Sequence, residues 1–390
     1  MPISPASSAR RARPVIDVPA RASAFAEAWL TPGTALGLLA LFTLVTVLLL
    51  SLVPLLVALL RPVVRWLDRW RVWGAGALSG RVAAQPRRLS TLTLRVLERD
   101  MAELLVVLLA GAVLLACGSA LFWLAGEVAE RGGVVRIDQI VFAWLRALRT
   151  DWLDIAMVAV TELGGARISV AVGVAVFAWL CWRRAWTVAL YWAAALLGAR
   201  ACVMALKLGM ARVRPASIYS GLESYSFPSG HATSSMVTYG FLAFLMCLRQ
   251  PWRVRIPVLA LTVVAVAAIG VSRLYLGMHW LSDVAAGYAL GLAWIALLGT
   301  AYRTLHVPAP KESVAPWRLG VVVAAAVVVA FSYVAWFRLP DTLERYRQAV
   351  TPTPAALALQ SPALVAGATP AAGRSCDGRC PALRSDSPPR

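Results

Sequence analysis

A series of long apolar stretches constrains the fold of this chain more than any other feature. Backbone polar groups find no water inside a bilayer, so a spanning segment must be a helix or part of a closed barrel, and a helix needs about 20 apolar residues. The stretches lie at about residues 34–60, 104–125, 155–182, 185–206, 232–248, 256–272, 281–301 and 319–337. The sequence therefore predicts an all-α fold, a polytopic membrane bundle of about eight transmembrane helices with about six in its core.

The overall composition agrees with a membrane protein and excludes two other classes. The chain is 60% hydrophobic and 15% charged, with a mean hydropathy of +0.71, which is too apolar for a soluble domain. Its net charge of +19 could suggest a nucleic-acid-binding protein. Most arginines, however, lie in short segments between apolar stretches, where cytoplasmic loops carry them. We therefore predict a multi-pass membrane protein with no nucleic-acid partner.

The basic connections also predict an orientation. They alternate along the chain and carry Arg183, Arg184, Arg249, Arg253, Arg255, Arg303, Lys311 and Arg318. The positive-inside rule places these connections in the cytoplasm. Arg10, Arg11 and Arg13 do not fit, because a count of eight spans places the leader that contains them outside.

Composition divides the chain into five regions. We expect a disordered leader at residues 1–33, an anchor with a basic cytoplasmic loop at 34–103, a membrane core at 104–303, a C-terminal transmembrane helix at 304–338 and a Pro- and Ala-rich disordered tail at 339–390. Trp66 and Trp70 belong to a basic amphipathic helix in the loop. Asp138 lies on the polar face of a second, interfacial helix.

Three short polar clusters stand out against the apolar background. They run from Lys207 to Arg214-Pro215, from Pro228 to His231, and from Ser272-Arg273 through His279 to Asp283. Two of the three histidines and one of the two lysines of the chain lie in them. All three clusters fall on the membrane face opposite to the basic connections, which indicates that they form one site.

The first cluster supplies two cations. Lys207 and Arg214 are separated by six residues and would face one pocket if the segment stayed helical. Both could instead reach lipid headgroups from the end of a span. Arg200, seven residues before Lys207, is either a further part of the site or an ion-pair partner for an acid such as Glu162.

The second cluster has the features of an anion site at the start of a helix. Ser229 is a good N-cap, and Gly230 leaves the first backbone N–H groups accessible, so an oxyanion can lie against them. His231 then projects from the first turn. An ordinary loop with a surface histidine is the alternative.

The third cluster pairs an imidazole with a carboxylate. His279 and Asp283 are four residues apart and share a helix face, so the carboxylate can orient one ring nitrogen while the other acts as a nucleophile. Arg273 adds a planar, two-pronged donor suited to phosphate oxygens. An Asp–His pair that caps the next span would explain two of these residues but neither Arg273 nor the other clusters.

The charge balance of the clusters favours a phosphate ligand. Lys207, Arg214 and Arg273 against Asp283 leave two net positive charges, and a phosphomonoester carries about −1.5 to −2 near neutral pH. A zinc or magnesium site would need more carboxylates or histidines on this face than the sequence supplies. We therefore expect no metal and no other cofactor.

The order and spacing of the three clusters resemble the three-part signature of the type 2 phosphatidic acid phosphatase family, which is related to vanadium-dependent haloperoxidases. The resemblance covers about residues 134–300. It implies that His279 forms a phosphohistidine, that Asp283 orients it and that His231 protonates the leaving group. It also implies that the phosphate oxygens are held by Lys207, Arg214, Ser229, Gly230 and Arg273.

The resemblance implies a metal-independent lipid phosphatase of the bacterial inner membrane, with its site on the periplasmic or outer face. Its partners would be the bilayer and a lipid phosphate, such as phosphatidylglycerol phosphate or a lipid A phosphate, and we favour phosphatidic acid or undecaprenyl pyrophosphate. Three alternatives stay open: a phosphotransferase with a lipid or saccharide acceptor, a vanadate-bound haloperoxidase, and a noncatalytic transporter or scaffold.

Overall fold

A computed structural model describes residues 31–82, 101–215, 224–305 and 316–350 of the chain. These residues form helices α1 (Pro32–Val82), α2 (Met101–Ala129), α3 (Gly133–Ala147), α4 (Asp151–Leu163), α5 (Ala166–Trp182), α6 (Trp186–Met210), α7 (Gly230–Cys247), α8 (Trp252–Tyr275), α9 (Leu281–Leu305), α10 (Pro316–Phe337) and α11 (Leu339–Val350). Within the described ranges, seven segments are long and apolar enough to cross a membrane. The predicted all-α membrane bundle is confirmed.

Helix α7 is the predicted span that differs from the other seven. The helix forms, but it is less apolar than the seven membrane-spanning candidates because it carries buried polar residues, among them Thr233, Ser235 and Thr238. It packs against α5, α6, α8, α9 and α10. A helix surrounded by other helices faces protein rather than lipid, so it can carry hydroxyl groups that bond to its own backbone, as Thr233 and Ser235 do.

The predicted span at residues 155–182 is wrong as a single helix. The structure divides it into α4 and α5 at Gly164-Gly165, and the two helices together make one membrane-spanning candidate. Gly164 permits a close approach to α8, because a Cβ atom there would lie 2.5 Å from Ile269 Cγ2. The break therefore lets the chain pack tightly against α8 at this level.

The predicted interfacial helix is present as α3, and its aspartate faces the protein whereas its arginines are exposed. Asp138 is buried, whereas Ile137, Ile140 and Trp144 are exposed. Exposed apolar side chains around a buried acid are expected where lipid rather than water surrounds the bundle. The arrangement places a carboxylate inside the bundle.

The two ends of the described chain depart from the prediction. Helix α1 is one continuous helix of 51 residues, not a span followed by a separate amphipathic helix. The leader at residues 1–30 lies outside the described residues. The tail was expected to be disordered from residue 339, but residues 339–350 form helix α11, because Leu339, Leu343 and Tyr346 recur at helical spacing. Residues 351–390 lie outside the described residues.

Candidate active site

The three polar clusters meet at one end of the bundle. They lie at the C-terminal ends of α6 and α8 and at the N-terminal ends of α7 and α9, so the turns between these helices bring them together. The structure unites all the sequence-predicted site residues here: Lys207, Arg214, Ser229, Gly230, His231, Arg273, His279 and Asp283. The geometric prediction of a single site is met.

His279 lies at the centre of the site with its Nε2 atom against Arg214. Arg214 Nη1 is 2.8 Å from His279 Nε2 and also donates to the carbonyl oxygen of Met278 at 2.7 Å. A guanidinium only donates hydrogen bonds, so Nε2 accepts and the proton of the neutral ring is assigned to Nδ1. The lone pair on Nε2 therefore points towards the cationic side of the site.

Surrounding charge and burial keep this imidazole neutral. His279 is only 2% exposed and lies between two membrane-spanning segments. Burial, and next the positive charge of Arg214, lower its pKa well below the usual value. Arg273, His231 and Lys207 are also close enough to lower it further. The ring is therefore unprotonated near neutral pH, and the Nε2 lone pair accepts from Arg214.

Asp283 lies beside the other ring nitrogen. Its Oδ2 atom is 3.4 Å from His279 Nδ1, a contact that does not meet hydrogen-bond geometry. The carboxylate is fixed by the backbone N–H of Trp280 at 2.9 Å on Oδ2 and by Arg212 at 2.6 Å on Oδ1. The backbone N–H of Ser229 donates to the carbonyl oxygen of Asp283 at 2.9 Å, which joins the starts of α7 and α9.

Arg212 and Asp138 form a buried network that the sequence analysis missed. Arg212 donates to Asp283 through Nη1 and to Asp138 Oδ2 through Nη2, at 2.6 and 2.7 Å. Asp138 also accepts from the backbone N–H and the hydroxyl group of Ser282, at 2.9 and 2.6 Å. The available signal was the single acid on the inner side of α3 and an arginine two residues before Arg214.

Lys207 and Arg214 reach the site by a turn rather than along one helix. The prediction of a shared helical face is wrong, because α6 ends at Met210 and Ala211 adopts a left-handed conformation with φ 43°. The chain then continues extended through Val213, which bridges to Tyr225. Lys207 Nζ donates to the carbonyl oxygen of Tyr225 at 3.0 Å. The turn thus returns Arg214 to the same pocket as Lys207.

The start of α7 has the predicted N-cap and lies beside Arg200. Ser229 Oγ accepts from the backbone N–H of Ala232 at 3.4 Å, which confirms the cap. A Cβ atom on Gly230 would lie 3.9 Å from its nearest neighbours, Arg200 Nη1 and Val203 Cγ1. The first turn, which also carries His231, therefore combines a helix N-terminus with a nearby guanidinium, and both favour an anion.

Arg200 and Glu162 do not serve the same purpose. Glu162 forms its ion pair with Arg167 at 3.8 Å. Arg200 instead lies beside Gly230, with its Nη1 atom 3.9 Å from where a Cβ atom on that glycine would be. Of the two predicted alternatives for Arg200, a position at the site is the one that the geometry supports.

Arg273 is completely buried beside two hydroxyl groups. Its Nη1 atom donates to Thr161 Oγ1 at 3.1 Å and to the phenol oxygen of Tyr346 at 2.7 Å. Both contacts come from outside the three sequence clusters. Among the described residues, no group of three or more His, Cys, Asp or Glu side chains could hold a metal ion.

Comparisons with known proteins identify a matching family model, a curated relative and a solved structure. Residues 186–306 match the family model described as the PAP2 superfamily. Phosphatidylglycerophosphatase B of Bacillus subtilis (strain 168) is 28% identical over 179 residues, which cover 44% of this chain and 86% of that protein. A solved structure, described as the first transmembrane PAP2 type phosphatidylglycerolphosphate phosphatase from Bacillus subtilis, is 25% identical, with a TM-score of 0.46 over 50% of this chain and 98% of its own.

The fold is that of a polytopic membrane protein, and the family model and the curated relative indicate a phosphatase. Residues 186–306 form a domain that matches the PAP2 superfamily, and the resemblance read from the three clusters is confirmed.

Proposed function

We propose that this protein hydrolyses a lipid phosphate without a metal ion, through a phosphohistidine on His279. The observation that carries the proposal is the position of His279 Nε2, 2.8 Å from Arg214, in a pocket that Lys207 and Arg273 also make positive. The fixed cations can bind a phosphate dianion and hold it within reach of the neutral imidazole, and they need not reorganise as the reaction proceeds.

The first step transfers the phosphoryl group to the enzyme. When the phosphate binds, Arg214 turns from His279 Nε2 to a phosphate oxygen, and the negative charge of the phosphate favours a proton on His231 among the surrounding cations. His279 Nε2 then forms a bond to phosphorus as the bond between phosphorus and the lipid oxygen breaks, and His231 gives its proton to that oxygen. Asp283 stabilises the positive charge that develops on the ring. Lys207, Arg214 and Arg273, with Ser229 and the backbone N–H of Gly230, hold the phosphate oxygens.

The second step restores the enzyme with water. His231, now neutral, takes a proton from a water molecule, whose oxygen attacks phosphorus as the bond to His279 breaks. Inorganic phosphate leaves, and His231 is again protonated. Attack by an alcohol instead of water would give transfer to an acceptor by the same route.

A phosphomonoester of a glycerolipid is the substrate class that we propose first. The support is the curated relative, whose name gives phosphatidylglycerophosphate as its substrate. Phosphatidic acid and undecaprenyl pyrophosphate present the same terminal phosphate to the pocket and belong in the same assay. The residues that contact phosphate do not distinguish these lipids, because selectivity depends on contacts to the rest of the molecule.

We also propose that the site opens on the non-cytoplasmic face. Helix α6 begins two residues after Arg184 and carries Lys207 near its other end. Helix α8 likewise begins among Arg253 and Arg255 and carries Arg273 at its far end. Basic residues at the ends remote from the site support an outward site by the positive-inside rule.

Phosphate release by the purified protein tests the proposal. We expect hydrolysis in detergent with a chelator present, on a panel of phosphatidylglycerol phosphate, phosphatidic acid and undecaprenyl pyrophosphate. His279→Ala should lower the rate at least about 10³-fold and leave no acid-labile phosphoenzyme. His231→Ala should be similarly impaired, whereas His306→Ala serves as the matched control. Full activity in both of the first two variants would refute the mechanism.

A further inference from the structure

Helix α11 lies outside the PAP2-matched residues, yet its buried face is at the active-site end of the bundle. Tyr346 belongs to one buried cluster with Tyr275, Leu276 and Met278. Met278 is the residue whose carbonyl oxygen accepts from Arg214, next to His279. The helix that follows the last transmembrane segment therefore packs against the chain segment that carries the nucleophile.

The contact between Tyr346 and Arg273 is specific and buried. Tyr346 is 2% exposed and Arg273 is 0% exposed, and the phenol oxygen accepts from Arg273 Nη1 at 2.7 Å. Thr161 accepts from the same nitrogen at 3.1 Å. Both acceptors are neutral hydroxyl groups, which orient the guanidinium without contributing a negative charge of their own.

Two further contacts hold α11 in this place. Leu339 and Leu343 pack against the same apolar cluster as Tyr346, so one face of the helix is covered. Arg347 pairs with Asp151 at the start of α4, with Nη2 3.3 Å from Oδ1. The ion pair is exposed and weak on its own, so the apolar face and the buried tyrosine carry the attachment.

We propose that α11 completes the phosphate-binding site, with Tyr346 as the positioning residue for Arg273. The inference rests on the proposed function, in which Arg273 holds a phosphate oxygen. A guanidinium that is already oriented loses less conformational freedom when it binds an anion, so the phenol increases phosphate affinity without touching the substrate. The active site therefore includes a residue from beyond the matched domain.

Tyr346→Phe tests this role in the full-length protein, because it removes the hydroxyl group and keeps the ring in the apolar cluster. We expect about fivefold to tenfold weaker competitive inhibition by inorganic phosphate and a similar rise in KM, with a smaller change in kcat. Tyr239→Phe is the matched control, since the Tyr239 hydroxyl group donates to the carbonyl oxygen of Leu163, at 2.6 Å, and does not accept from Arg273. An unchanged inhibition constant, or increased activity from an unblocked Arg273, would overturn the inference.

A double-mutant cycle separates positioning from general packing. In an Arg273→Lys background, the Tyr346→Phe change should have less than about a twofold effect on phosphate inhibition, because the guanidinium that it orients is gone. If Tyr346→Phe weakened phosphate inhibition by the same factor in both backgrounds, the positioning role of Tyr346 would be wrong. Failure of the proposed function itself would be visible separately, as phosphate release that survives His279→Ala.

Discussion

Arg212 and Arg214 are two residues apart in the same extended segment, and they serve opposite purposes. Arg212 binds two buried carboxylates, Asp138 and Asp283. Arg214 binds the imidazole of His279 and a backbone carbonyl oxygen. The residue between them, Val213, is in the bridge to Tyr225. Side chains two residues apart on an extended chain point to the same face, so the two guanidiniums lie close together and differ in their partners: Arg212 binds structural carboxylates and Arg214 binds the nucleophile.

The comparison explains how a cluster of cations can be stable inside a membrane protein. The charge of Arg212 is balanced by carboxylates, and these bonds hold Asp283 beside the nucleophile. Lys207, Arg214 and Arg273 instead raise the positive potential around His279, as the lowered pKa of that ring records. The Arg212 network thus holds Asp283 next to a cationic pocket that suits a phosphate.

The largest predicted effect on stability comes from Arg212→Ala. The change leaves two buried carboxylates without their shared cation, which typically costs about 3–5 kcal/mol, and thermal unfolding in detergent would measure it. Arg347→Ala is the control, because its ion pair is exposed and worth less than about 1 kcal/mol. Adding Asp138→Asn to Arg212→Ala should recover part of the loss. Equal unfolding temperatures for Arg212→Ala and the control would contradict the balanced network.

Arg214→Ala should instead impair activity more than stability. Loss of one preorganised cation at a developing charge typically lowers the rate by about 10²–10³-fold. The protein should stay folded, because removal of one cation relieves repulsion from Lys207 and Arg273 in the same pocket. Steady-state kcat/KM and the unfolding temperature, compared with those of Arg212→Ala, measure the contrast. If Arg214→Ala unfolded as readily as Arg212→Ala, the division of roles between the two arginines would be wrong.

The same contrast explains what could be predicted from the sequence. His231, His279 and Lys207 are chemically rare in an apolar chain, and their spacing within short clusters revealed them. Arg212 is one arginine among many in a strongly basic chain, and its partner Asp138 lies 74 residues away. Only the packing of α3 against α9 brings the two acids together, so no local pattern identifies the network.

Helices α7 and α11 show that hydropathy along the sequence also fails to predict which residues meet in the folded bundle. The polar content of α7 reflects its central place in the bundle, which a count of apolar residues along the chain does not register. Tyr346 lies in a segment whose Pro- and Ala-rich continuation suggested disorder, and its partner Arg273 is 73 residues away. Helical spacing at Leu339, Leu343 and Tyr346 was the available signal.

The smallest predicted effect is a shift in the pH dependence of activity, which sharpens the comparison. We expect kcat/KM to be bell-shaped, with its acid limb below pH 6.5, because the lowered pKa of His279 keeps the nucleophile neutral until the pH falls through that value. Arg214→Gln removes the largest of the charges that lower this pKa, so the acid limb should move to higher pH. Arg212→Gln removes a cation already balanced by carboxylates and should move it less. A profile that is flat between about pH 5 and 9, or an acid limb that moves equally in both variants, would show that His279 does not experience the field of the anion pocket.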